Sequence, residues 1–385
     1  MTAFHTKTTV TGIDAENALE QLLGHLREHE LIAIRKDDAW EVEYANTRIL
    51  FLAKGDKLRA DVTAPTQDAL YEGRMMAFYH IQEYSGCEPE AIQWEGDSVA
   101  FERPPAFRLI TVAAVTEVSP HMRRVRFRNS DLQRYDQNDN LHCKLIFPQP
   151  GDEQPEWPTL AANGVPQFPK GEKRLDVRTY TIRRISAREG WFEVDFVLHD
   201  DAGPGAAWAA QAAVGQQLGM SGPGGRTAPA TSWMLLAGDE TALPAICRIG
   251  ETLPAGTRGH VIVEVQSSQD EFPMTLPTGM ALQWVYRDKS AAGETTLLAD
   301  AIQACTIPEM GDRFVWVGAE FSTAQTVRKW LRDDIGLSGK EQLVVAYWRH
   351  GMDETQMKSA PARDSAGNAS AKSKVEIESE SGARS

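Results

Sequence analysis

Leu19, Leu22, Leu23 and Leu26 recur at the spacing of one helix face, and Asp14 stands where a helix N-cap belongs. Residues 31–35, 40–44, 47–53 and 57–63 follow as short runs of strand character, after which Leu70, Ala77, Ile81 and Tyr84 line one side of a second helix. The pattern predicts a small α/β domain over residues 1–100, with no evident catalytic constellation. Arg103, Pro104 and Pro105 then punctuate the chain, because proline resists helix interiors and central strands.

Between residues 105 and 228 strand patterns dominate, at 107–115, 122–128, 141–147, 177–186, 191–199 and 217–221. Short strands separated by turn signals predict an antiparallel β-barrel. A proline-rich interruption at 148–176 is long enough to border a ligand site or to lack order. Past a turn at 222–225 the rhythm changes. Strands at 233–237, 260–265, 283–287, 313–318 and 342–349 are interspersed with helices at 243–253, 297–305 and 324–335. That order predicts a parallel α/β nucleotide-binding domain over residues 229–351. Residues 352–385 carry almost no large apolar side chains and read as a disordered tail.

Charge narrows the possible partners. The 40 Lys and Arg against 54 Asp and Glu leave a net −14, which repels phosphate backbones and anionic membranes, so no nucleic acid partner is expected. No apolar run is long enough for membrane insertion, the first ten residues do not read as a signal peptide, and Cys87, Cys143, Cys247 and Cys305 show no CxxC spacing. These features fit a cytoplasmic location. His25 and His29 have a chelating spacing but no third ligand, so no metal site is predicted.

Three segments carry candidate chemistry. Strand alternation puts Arg178 and Tyr180 on one face and Thr179 and Thr181 on the other, presenting a cation with an aromatic ring. A flavin dinucleotide needs such a pair, for its pyrophosphate and its flat ring system, though an ordinary barrel strand has the same alternation. In His199-Asp200-Asp201-Ala202-Gly203-Pro204-Gly205-Ala206-Ala207-Trp208 a Gly-Pro-Gly turn enters an Ala-rich stretch, leaving backbone N–H groups at a helix start for a phosphate or simply making a good turn. Gly238-Asp239-Glu240-Thr241-Ala242 forms the first βα crossover of the predicted parallel sheet, where dinucleotides bind, and Gly318-Ala319-Glu320 ends a later strand similarly. Neither turn has the GxGxxG fingerprint.

RTYT, HDDAGPGAAWA, MSGPGG, AGDETALPA, VGAEFSTAQTVRKWLRDDIGL and AYWRHG occur in the order and spacing of the siderophore-interacting protein family of FAD-dependent ferric-siderophore reductases, which the chain resembles from about residue 107 to 351. The amino-terminal domain resembles a small domain family of unknown function. The first resemblance implies a ferredoxin-reductase-like pair of domains, the barrel binding FAD and the α/β domain binding NADH or NADPH. It implies that Arg178, Tyr180 and Thr181 hold the flavin, with Thr181 as the catalytic residue near its N5 edge. Val197, His199, Gly203, Gly205, Ala206 and Ala207 would bind the rest of FAD, Ala206 standing where the family often has Ser. Gly238, Asp239, Glu240, Thr241, Ala242, Gly318, Ala319 and Glu320 would face the nicotinamide dinucleotide, and Lys144 and Arg349 would draw in an anionic ferric siderophore.

The implied reaction passes electrons from NAD(P)H through FAD to Fe(III), releasing Fe(II). Residues 266–270 contain no Arg for a 2′-phosphate, which favours NADH. A flavin oxidoreductase for a protein or quinone acceptor, and a flavin-binding sensor without turnover, are the rival readings.

Overall fold

The structure, a computed structural model, describes residues 3–28, 31–97, 101–199, 203–352 and 354–359. His29, the Asp200-Asp201-Ala202 stretch and the tail from residue 360 lie outside these described residues. Two compact units emerge, one built on Met1–Phe107 with Gln154–Arg174, the other on Arg108–Glu153 with Leu175–Ser365.

In the first unit, strands β1 (Phe4–Thr11), β2 (Ala33–Lys36), β3 (Ala39–Tyr44), β4 (Thr47–Lys54), β5 (Lys57–Ala64) and β6 (Glu95–Gly96) form an antiparallel sheet ordered β2-β3-β4-β5-β1-β6. Helices α1 (Ala15–Glu28) and α2 (Gln67–Ser85) bury Leu19, Leu22, Leu23, Leu26, Leu70, Ala77 and Ile81 in one cluster with Ile49, Phe51, Leu58 and Val62 of the sheet. Strand β1 was not anticipated from the pattern, because two of its inward residues are Thr6 and Thr8 rather than apolar side chains. The proline-rich interruption is no simple loop. It contains a ribbon of β10 (Thr159–Leu160) and β11 (Pro166–Gln167), and its Leu160 and Val165 pack on this unit's core while Arg74 donates to the Asn163 carbonyl at 3.2 Å.

The second unit begins with a sheet of β7 (Arg108–Ser119), β8 (Met122–Arg128), β9 (Asn140–Phe147), β12 (Asp176–Thr181), β13 (Arg184–Ser186), β14 (Trp191–Val197) and β15 (Gln217–Arg226), ordered β12-β9-β15-β7-β8-β14-β13. It closes on itself at Ile182–Arg183. There the Ile182 N–H donates to the carbonyl of Leu141 in β9, and the Arg183 N–H donates to the carbonyl of Glu193 in β14. The expected antiparallel barrel is therefore present. The segment 222–225 is part of β15, which bulges between Ser221 and Gly224, rather than a turn that ends the barrel.

Helix α3 (Pro204–Ala210) lies between β14 and β15. Beyond β15 come β16 (Trp233–Gly238), α4 (Leu243–Thr252), β17 (Arg258–Val265), β18 (Gly279–Tyr286), α5 (Leu297–Gln303), β19 (Arg313–Glu320), α6 (Phe321–Asp333), β20 (Gln342–Trp348) and α7 (Glu354–Ser359). The parallel sheet runs β18-β17-β16-β19-β20. Alternation along β16 sends Met234 and Leu236 into a cluster with α4, and Leu235 and Ala237 into one with α5 and α6. Met122 and Leu141 of the barrel join the α4 cluster, so the two layers share a core. Arg248 of α4 reaches into the barrel and donates to the carbonyls of Ile182 and Gln137 at 2.8 and 2.5 Å, and Arg183 pairs with Glu251 at 2.6 Å. No described helix is long and apolar enough to cross a membrane.

The strand order reverses between the parallel neighbours β16 and β19, so the carboxyl ends of these two strands form the topological switch point of the sheet. A buried ion network supports it: Arg287, 6% exposed, donates bidentately to Glu240 at 2.6 and 2.7 Å and approaches Glu264 at 3.5 Å. Removing one partner from such a group leaves a desolvated guanidinium undercompensated. Glu240→Ala should therefore lower unfolding free energy by about 3 kcal/mol in denaturant titrations, and a loss below about 1 kcal/mol would contradict this role.

Candidate functional site

The RTYT strand and the Gly-Pro-Gly turn meet through Tyr180. Its ring packs 4.5 Å from that of Phe196 and 6.3 Å from that of Phe147, centroid to centroid. Its hydroxyl abuts the first turn of α3 so closely that a Cβ on Gly205 would lie 2.0 Å from it. Glycine is required there by close approach. Burial, with the charge of Glu354 adding to it, holds the Tyr180 phenol protonated well above its ordinary range. Helix α3 has only seven residues, so its dipole is weak, and Ala206 is buried. Val197 packs partly into the cluster shared by barrel and α4, and His199 is exposed.

Arg178, like the exposed Arg128 and Arg226, has no carboxylate partner among the described residues, and of these three it is the part-buried one. Arg108, Arg123, Arg124, Arg126, Arg183 and Arg184 each pair with a carboxylate. The guanidinium of Arg178 bonds among the described residues only to the Val177 carbonyl, at 2.9 Å. A part-buried cation not spent on a protein carboxylate, one residue removed from an aromatic ring that leans on a backbone turn, fits the pyrophosphate and ring of a flavin dinucleotide.

The second convergence joins the barrel to the parallel sheet. His142 of β9 faces Thr181 of β12 in the ladder, and its Nε2 lies 2.8 Å from the hydroxyl of Tyr347 in β20. Thr181, buried, also hydrogen-bonds that hydroxyl. Burial and the charge of Arg248 push His142 down to about 4, so its ring is neutral at pH 7. Neither His142 nor Tyr347 stands out in the sequence, although Tyr347 lies inside AYWRHG and His142 is two residues before Lys144.

The third convergence is built on Asp239. One of its oxygens accepts from the Thr241 N–H at 2.9 Å and the Thr241 hydroxyl at 2.5 Å. The other accepts from the Glu320 N–H at 3.0 Å and from Nε1 of Trp348 at 2.9 Å. Burial, reinforced by Glu240, raises the Asp239 carboxyl above its usual range, while the bonds from Thr241 and Trp348 oppose the rise. Gly238 lets the turns approach: a Cβ there would meet the Gly318 carbonyl at 2.3 Å and the Ala242 Cβ at 2.5 Å. Ala319 is fully buried. Glu320 is committed to the Ser322 N–H at 2.5 Å and the His350 N–H at 3.2 Å, as Glu240 is to Arg287.

Lys144 stands opposite Thr179 on one side and Ser221 on the other. Arg349 lies over the Phe321 ring, 4.4 Å from its centroid. His25 of α1 packs against His80 and Tyr84, at 5.4 and 5.6 Å between centroids.

Residues 111–227 match the model of the siderophore-interacting FAD-binding domain, and residues 231–351 match that of siderophore-interacting protein. Ferric vibriobactin reductase ViuB of Vibrio cholerae is 31% identical over 260 residues, covering 64% of this chain and 91% of that protein. The chain belongs to the siderophore-interacting protein family. The crystal structure of the siderophore-interacting protein SipS from Aeromonas hydrophila aligns with a TM-score of 0.57 at 32% identity, over 67% of this chain and 96% of that one. A siderophore utilization protein from T. fusca gives the same score and identity over 64% and 94%. Membership identifies the barrel of this siderophore-interacting protein as an FAD-binding domain, which the parallel α/β layer follows in the chain.

His142 gives the site a pH signature. Above the ordinary 6.5 it is neutral in folded and unfolded chains alike, and below 6.5 the unfolded chain takes up a proton that the folded one refuses until about 4. Stability contributed by this group is thus complete above pH 6.5 and lost as the pH falls towards 4. The difference in unfolding free energy between wild type and His142→Gln should shrink by about 2–3 kcal/mol across that window, and a pH-independent difference would contradict the assignment.

Proposed function

We propose that this protein is an FAD-dependent ferric-siderophore reductase that draws electrons from NADH and releases iron as Fe(II). The observation that carries the reading is the Arg178 guanidinium, without a carboxylate partner among the described residues, two positions before Tyr180, whose hydroxyl abuts Gly205, within a chain of the siderophore-interacting family. FAD, when bound, supplies a ring that accepts hydride and passes electrons on singly, chemistry no side chain provides.

The residues divide the remaining work. Arg178 neutralises the pyrophosphate, Tyr180 lends an aromatic surface, and the turn at 203–207 brings backbone close to the cofactor. Thr181 directs a hydroxyl at the flavin edge, and His142 and Tyr347 keep that hydroxyl from rotating away. Asp239, Glu240 and Glu320 act as positioning groups, since their oxygens are already occupied. The backbone of the turns they hold meets the nicotinamide dinucleotide at the switch point.

Lys144 and Arg349 offset the repulsion between an anionic ferric chelate and a chain of net charge −14. Oxygen-rich chelators grip hard Fe(III) more tightly than Fe(II), so reduction alone loosens the metal. The preference for NADH follows from Arg287 rather than from an absence of arginine: its Nη2 reaches Gln266 at 3.2 Å, but Glu240 and Glu264 already neutralise it. A 2′-phosphate finds no free cation in that group.

Trapping Fe(II) with a chromogenic chelator tests these assignments in one assay. With an anionic ferric siderophore, NADH should support turnover at least about tenfold more efficiently than NADPH, and Lys144→Glu should lower kcat/KM about tenfold or more. Equal rates with both nucleotides would remove the role given to Arg287. An unchanged kcat/KM in Lys144→Glu would remove the capture role and favour a different electron acceptor.

A further inference from the structure

Strand β12 ends one side of the barrel sheet and pairs with β9 on its other edge. At Thr179 the open edge is filled by a carboxylate. One oxygen of Glu354, the first residue of α7, accepts from the Thr179 N–H at 2.9 Å, and the other accepts from the Thr179 hydroxyl at 2.7 Å. The charge of Glu354 also acts on Tyr180 and on His142, which places it against the same part of the barrel. Thr179 stands directly opposite Lys144, and side chains at paired positions share a face.

The fork has a definite chemistry. An N–H and an O–H held at hydrogen-bond distance from two oxygens of one group match a carboxylate, and a cationic side chain opposite suits its charge. An amide or hydroxamate arm whose oxygens are spent on iron does not offer two free acceptors. Glu354 arrives from the segment directly after Arg349, the chain turning back through the bridge between Arg349 and Met352. It can therefore leave without unravelling the sheet.

Resting on the ferric-siderophore reading above, we propose that the Thr179 N–H and hydroxyl, with Lys144, form a subsite for a free carboxylate arm of the ferric chelate, and that Glu354 is its internal occupant. A carboxylate-bearing substrate exchanges with Glu354, so the apparent affinity is reduced by the fraction of molecules in which Glu354 holds the fork. Chelates lacking such an arm do not compete. Specificity for carboxylate-type siderophores thus resides in Thr179, and the strength of the competition in Glu354.

The experiment compares two ferric probes on the full-length flavoprotein, ferric citrate and a ferric trihydroxamate without carboxylates, and takes the ratio of their KM values so that any general loss of folding cancels. Glu354→Ala should lower KM for ferric citrate about three- to tenfold and leave the trihydroxamate within about twofold. Adding Thr179→Val to that variant should restore or raise the citrate KM. Redox-inert gallium(III) citrate, followed by tryptophan fluorescence, should bind Glu354→Ala tighter by the same factor as the KM falls.

A KM ratio and gallium affinity that stay at wild-type values in Glu354→Ala would overturn the subsite while leaving ferric reduction standing. Tighter gallium(III) citrate binding in a protein that reduces neither probe would support the subsite and overturn the reductase reading.

Discussion

The hydroxyl of Tyr347 is the point on which the site depends. It belongs to the last strand of the parallel sheet, yet its partners, His142 and Thr181, face each other on adjacent barrel strands. A neutral, desolvated histidine and a buried threonine have few alternative partners, so losing this hydroxyl would leave buried polar groups unsatisfied. The contact fixes the register between the FAD-binding barrel and the parallel sheet to which the proposed function assigns the nicotinamide. Reactant distances in hydride transfer depend on that register.

Asp239 extends the same logic within the parallel sheet. Its two oxygens collect four donors from three chain segments, the turn after β16, the end of β19 and Trp348. Trp348 follows Tyr347 directly, so one stretch of β20 is tied both to the barrel and to the switch point. Around this frame Arg124, Arg183 and Arg287 are paired with carboxylates, in keeping with an acidic chain that has carboxylates in excess. Arg178, part-buried in the barrel, has no carboxylate partner among the described residues, and such a cation in an acidic chain is a feature that selects an anionic ligand.

Much of the architecture was legible in the sequence because it rests on periodicity. The two helices of the first unit, the barrel strands and the alternating α/β order all follow from apolar spacing, and the RTYT alternation agrees with the observed ladder. What escaped notice rests on polar residues doing inward work or on contacts between distant positions. Thr6 and Thr8 disguise β1, and the interruption at 148–176 gives no sign that its middle packs on the first unit. The expected tail after Met352 begins with α7, whose Glu354 is polar and without periodic signal. His142 and Tyr347 are 205 residues apart, and no local pattern announces their bond. Glu240 and Glu320 sit in the two βα turns that the sequence offers as a dinucleotide site, but their carboxylates serve the protein's own donors.

The account stands on Arg178 as the cation that holds FAD, and equilibrium titration of FAD into apoprotein tests this most directly. Arg128, an exposed arginine on β8, supplies the matched control. The account predicts that Arg178→Ala weakens FAD binding about tenfold or more while Arg128→Ala binds as wild type. Equal FAD affinity in wild type and Arg178→Ala would contradict it.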